Sequence, residues 1–102
     1  MICKLCNRDV VDTTEHHLIP KTRHTNKKTI KNFSREQLNA TVTLCSQCHK
    51  NLHANISEKD LEQHYNSLDS LASHPELSKF SSWISRKPDG TSVVFRAAKN
   101  KR

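Results

Sequence analysis

A chain of 102 residues has room for one domain, since independently folding units run about 100–150 residues. Only 33% of its residues are apolar, against roughly 45–50% in ordinary globular proteins, so the core is thin and an extra staple is expected. Seventeen Lys and Arg against ten Asp and Glu leave a net charge of +7, which favours a polyanionic partner: nucleic acid or a membrane surface.

No stretch approaches the roughly 18–20 apolar residues that span a bilayer, and MICKLCNRDV lacks the apolar core of a signal peptide. A soluble, cytoplasmic protein is expected, and in a reducing compartment four Cys are metal ligands before they are disulfides. The basic residues are not interleaved with a large apolar helical face, which argues against a membrane-surface role.

In chain order, residues 1–8 form a tight knuckle around CKLC, and Val10–Leu18 is weakly strand-like. Pro20–Asn32 reads as a polar, basic loop. Ser34 with Gln37 resembles a capping box opening one short helical turn. Thr41–Leu44 is β-branched and predicts a strand. Ser46 to about Asn55 contains no breaker and predicts a helix. Ser57 with Asp60 starts another, with Leu61, Tyr65, Leu68 and Ala72 on one face. Ser73 with Glu76, and Pro75 in the first turn, start a third carrying Leu77, Phe80 and Ile84. The large apolar and aromatic residues of these later helices, Trp83 included, are expected in the core. Pro88–Gly90 is a turn, and Thr91–Ala97 a short strand. Charge is segregated along the chain: residues 16–35 hold six basic residues and no acid, 56–78 are mostly acidic, and the end from Lys79 is basic again.

Two C-x-x-C pairs, Cys3/Cys6 and Cys45/Cys48, are separated by 38 residues. Two-residue spacing lets both thiolates of a pair reach one ion from a tight turn, and four thiolates complete a closed tetrahedral zinc site. Structural zinc contributes about 10–16 kcal/mol of apparent folding free energy in finger peptides, the size of staple this composition lacks. His49 and His53 lie four apart on the predicted helix and can share an ion. They either complete a finger of two cysteines and two histidines with one C-x-x-C pair or form a second site. His16 and His17 point to opposite faces of an extended chain, so one can be a ligand while the other does something else. A third imidazole added to His49 and His53 makes a site with open positions, as in a catalytic ion centre.

CKLC at 3–6, EHHLIP at 15–20 and LCSQCHKNLH at 44–53 together resemble the HNH endonucleases, in residue type, order and spacing. The resemblance covers residues 1–55. It implies a small ββα-metal nuclease core with a four-cysteine zinc knuckle; with the two C-terminal helices and basic tail read above over 56–102, the expected fold class is α+β. It further implies His17 as general base with Pro20 three positions on, a catalytic divalent ion (Zn, Ni, Mn or Mg) held by His16, His49 and His53, and a structural zinc on Cys3, Cys6, Cys45 and Cys48. The Asn that gives the family its middle letter stands five residues before the third cysteine, where this chain has Ala40. A one-residue bulge would bring Asn39 into its place.

Hydrolysis of double-stranded DNA with weak sequence preference is therefore expected. Lys21, Arg23, Lys27, Lys28 and Lys31 would meet backbone phosphates, and Glu15 would orient a neighbouring imidazole. The alternative is a noncatalytic zinc-ribbon module that binds nucleic acid or protein. His17 separates the two readings, because a binding module gains nothing from a second imidazole beside His16. Double-strand cleavage would call for an oligomer or a larger complex.

Overall fold

The computed structural model describes residues 1–93. Thr91–Val93 are not strand; the rest of the strand expected there and the AAKNKR tail lie outside the described residues. Strand β1 (Thr13–His17) pairs antiparallel with β2 (Thr41–Cys45), His16 opposite Val42 and His17 opposite Thr41. Between them run a 3-10 turn at Lys21–Arg23 and helices α1 (Lys27–Asn32) and α2 (Arg35–Asn39). After β2 come α3 (Ser46–Asn55), α4 (Glu58–Gln63), α5 (Leu68–Ser73) and α6 (Pro75–Ile84). The result is a mixed α+β fold with one two-stranded sheet and, among the described residues, six helices.

The Pro20–Asn32 stretch is more ordered than its composition suggests. Asn26 caps α1, its side chain accepting from the backbone N–H groups of Lys28 and Thr29. Thr29 is fully buried and donates its hydroxyl to Glu62 of α4 at 2.9 Å. A helix anchored by a polar tie shows no apolar periodicity, so a reading by hydrophobic pattern passes over it.

The expected helix from Ser57 is broken in two, giving three C-terminal helices in place of two. The Asn66 side chain donates to the Glu62 carbonyl, ending α4. Ser67 and Ser70 then form a reciprocal capping box for α5. The break changes the helical phase: Leu71 is fully buried and Ala72 is exposed. Likewise His74, not Ser73, caps α6, its Nδ1 accepting from the Glu76 N–H.

The core runs from the cysteine cluster through Val10, Leu44, Leu52 and Ile56 to Leu61, Leu71, Leu77 and Ile84. Helix α3 packs on the sheet and on α6, so its first turn, with Cys48 and His49, sits on a fixed platform. Trp83 is not core: it is 44% exposed, with the Lys87 ammonium 5.1 Å from its ring. No helix among the described residues is long and apolar enough to cross a membrane.

Candidate functional site

Cys3, Cys6, Cys45 and Cys48 are buried free thiols whose sulfurs lie within 4.8 Å of one another. Each pair is shaped by its own backbone. Cys6 N–H donates to the Cys3 sulfur at 3.5 Å, and Asn7 adopts a left-handed conformation (φ 62°) that asparagine tolerates. Cys45 is both the last residue of β2 and the N-cap of α3, its sulfur accepting from Cys48 N–H at 3.3 Å. The sulfurs compete for negative charge. Contacts with Cys45 and Cys48 lower the Cys3 thiol, contacts with Cys3 and Cys45 raise that of Cys48, and burial raises that of Cys6. Added positive charge is what lets all four ionise together, and the group could hold a structural metal ion such as zinc.

Arg8 supplies part of that charge. Only 8% exposed, its guanidinium donates to the Cys6 sulfur (3.4 Å), the Cys45 sulfur (3.3 Å) and the Gln47 side chain (3.3 Å). Its remaining nitrogen donates to the carbonyls of Lys87 and Pro88 at 3.3 and 3.0 Å. No carboxylate is among these partners, so sulfur carries the counter-charge of a buried cation.

The second cluster is built of imidazoles. His16, His49 and His53 place one ring nitrogen each within 4.8 Å of the others, with ring centroids 4.9–5.4 Å apart. Strand alternation puts Thr14 on the same face as His16, and the Thr14 hydroxyl meets His49 Nδ1 at 2.6 Å. That contact leaves His49 Nε2 facing His53 Nε2 at 3.2 Å. His16 is 2% exposed, and its Nε2 has no hydrogen-bond partner. A buried, unpartnered nitrogen beside two converging ones suits a shared cation. Burial first, then the neighbouring histidines, lower the His16 pKa to about 3, and burial and His53 lower that of His49, so both rings are neutral donors at neutral pH.

His17 stands outside this cluster but on the same cleft, a recess of about 230 Å³ lined by His16, His17, Pro20, Lys21, His53 and Glu58. Its ring sits edge-on to that of His24, 5.9 Å between centroids, and His24 is fixed by a 2.7 Å hydrogen bond from Nε2 to the Ile19 carbonyl. Burial, then Lys21 and His24, lower its pKa below the ordinary histidine value. Thr22 donates to Glu58 across the rim.

The chain is similar to the uncharacterized protein YisB of Bacillus subtilis (strain 168), with 37% identity over 87 residues, 85% of this chain and 76% of that protein. The two belong to one family. A contiguous stretch of that length in a 102-residue chain necessarily includes residues 16–87, and with them every histidine of the cluster and the second cysteine pair. No protein-family model matches the chain, and no solved structure matches it.

In this member of the YisB family, two of the expected helper residues lie elsewhere. Glu15 points away from Thr14 and His16, onto the face it shares with His17, and its two oxygens accept from the hydroxyls of Thr41 and Thr43 at 3.1 and 2.7 Å, not from an imidazole. Asn39 ends α2 with its side chain exposed. No bulge shifts it, because the hairpin register runs unbroken and Leu18 N–H bonds the Ala40 carbonyl at 3.1 Å. Lys21, Lys27, Lys28 and Lys31 are exposed on the turn and α1, whereas Arg23 is half-buried and ion-paired to Glu62. Thr14, Arg8 and His24 were not singled out by the sequence. Thr14 was findable from its two-residue offset to His16; His24 sits in an irregular stretch that carries no such signal.

Proposed function

We propose that this protein is a metal-dependent endonuclease of the HNH type, with a ββα-metal core formed by β1, β2 and α3, that hydrolyses phosphodiester bonds in double-stranded DNA. The observation that carries this reading is His17: a fourth imidazole, outside the ligand cluster, on the same cleft as two of its members. Metal storage or scaffolding requires ligands alone; hydrolysis also requires a base.

The four cysteines would hold a structural zinc, with Arg8 offsetting thiolate charge. His16, His49 and His53 would hold one divalent ion, and three neutral nitrogens suit Zn, Ni or Mn better than Mg. When bound, that ion supplies Lewis-acid stabilisation of charge on the phosphoryl and leaving oxygens. His17 accepts a proton from water as the water oxygen bonds to phosphorus; the bond to the departing sugar oxygen breaks, and that oxygen is reprotonated from solvent. The depressed pKa of His17 keeps the ring in its accepting form at neutral pH. Lys21 lies on the cleft, and Lys27, Lys28 and Lys31 give α1 a basic surface for backbone phosphates, which supports weak sequence preference and steep salt dependence.

The test is nicking of supercoiled plasmid by the zinc-loaded protein with added Mg, Mn, Ni or Zn, beside His17→Ala. Nicking that falls about 10²- to 10⁴-fold in the variant, with DNA binding retained, is expected. Absence of nicking by both proteins, with DNA binding intact, would instead establish a noncatalytic zinc-ribbon module.

A further inference from the structure

A second recess, about 480 Å³, adjoins the cleft. Its lining combines three cations (Arg23, Lys28 and Lys59), the half-buried ring of Phe33, and the exposed amide side chains of Asn32 and Gln63. The volume lies within the range of about 300–1,000 Å³ typical of sites that bury a small ligand. The one acid in the lining, Glu62, is paired with Arg23 through one oxygen and accepts from the Thr29 hydroxyl with the other, so Lys28 and Lys59 leave the recess net positive.

The two recesses share a wall. Thr22 and Glu58 face the cleft, while the next residue of each segment, Arg23 and Lys59, faces the second recess. Consecutive Cα atoms are about 3.8 Å apart, so the two linings meet at residues 22–23 and 58–59. The wall is fixed, because Thr22 bonds Glu58 and Arg23 bonds Glu62 across it.

Cations, one aromatic face and carboxamides are the groups that bind a phosphate, stack a base and read a base edge. A base inside a duplex is covered on both faces and enters only by unpairing and unstacking, at a cost of a few kcal/mol that an unpaired base avoids. We propose that this recess is a subsite for one unpaired nucleotide of the strand being cut, so that the preferred substrate is duplex DNA carrying a single-stranded segment beside the scissile bond. Naming the strand as the one being cut rests on the endonuclease reading; the binding site itself does not.

The test uses the full-length, zinc-loaded chain carrying His17→Ala, with fluorescence anisotropy on a blunt duplex and on the same duplex with a short single-stranded tail. The tailed duplex binds about tenfold tighter, the gain expected of one stacked base. Phe33→Ala removes about 5- to 10-fold of affinity for the tailed duplex only. Lys59→Gln, an exposed change that leaves the fold alone, also weakens only the tailed duplex and reduces the slope of log affinity against log salt by about 0.7. A nucleoside monophosphate competes for the tail better than inorganic phosphate at equal concentration. The proposal is overturned if the tail adds no affinity, if Lys59→Gln weakens both duplexes equally, or if inorganic phosphate competes as well as the nucleotide. Plasmid nicking separates the two claims: tail preference without nicking removes the nuclease and leaves the subsite, and nicking without tail preference does the reverse.

Discussion

Replacing Arg8 by Met keeps much of the buried volume and removes the charge. The guanidinium makes two hydrogen bonds to sulfur, at 3.4 and 3.3 Å. Hydrogen bonds to charged groups are worth about 1.5–3 kcal/mol, and these long ones belong at the lower end. The carbonyls of Lys87 and Pro88 also lose a donor, but both residues are exposed and water replaces it at little cost. The total is about 3 kcal/mol, borne by the state in which the sulfurs are ionised, and each 1.4 kcal/mol is tenfold. Zinc affinity in Arg8→Met should therefore fall about 10²-fold, measured by competition with a chromophoric chelator at neutral pH. Arg8→Lys retains the charge but not the fork, so it should recover part of the loss. An Arg8→Met protein that binds zinc within about threefold of wild type would refute the view that this cation balances the thiolates.

Three further outcomes follow from the same structure. Thr14→Val removes the partner of His49 Nδ1 and should weaken cobalt binding at the proposed histidine site about 10- to 100-fold in a titration of zinc-loaded protein, an unchanged titration counting against the orienting role. Leu52, fully buried on the inner side of α3, should cost about 2–5 kcal/mol when cut to Ala; a urea midpoint that barely moves would show that the core does not depend on it. Burial raises the Glu62 pKa, but hydrogen bonds from Arg23 and Thr29 and the charges of Arg23 and Lys59 outweigh it and hold the carboxyl below its ordinary 4.5. Such a group stabilises the fold above 4.5 and surrenders that stabilisation as pH falls through its lower folded value. Glu62→Gln should consequently lose less stability than wild type on acidification in that window, and parallel acid limbs in urea unfolding would contradict this.

The parts of this molecule that were legible in its sequence are those with short, regular signals. The two C-x-x-C pairs anticipated the cysteine cluster, the offset of four between His49 and His53 left a finger or a second site open until the resemblance added His16, and the Ser34–Gln37 box, the Thr41–Leu44 strand and the Ser46 helix fall where residue type placed them. What escaped depends on polar contacts between distant segments. Helix α1 is held by Thr29 against Glu62, 33 positions away, and no local pattern records that. The helix from Ser57 looked continuous because Leu61, Tyr65 and Leu68 keep helical spacing; a single Asn66 side chain bonding back to the Glu62 carbonyl ends it and rotates Leu71 inward. Glu15 precedes both histidines, yet strand alternation turns it away from His16 and onto the face it shares with His17, where the hydroxyls of Thr41 and Thr43 take its oxygens, and the same alternation places Thr14 beside His49.

Chemical rescue of His17→Ala tests the central claim most directly. With the zinc-loaded variant, the divalent ion that best supports wild-type nicking and supercoiled plasmid, added imidazole should restore nicking in proportion to its concentration, while His49→Ala stays inactive because it lacks a ligand and not a base. Nicking by His17→Ala at the wild-type rate without imidazole would contradict the assignment of this ring as the base that activates water.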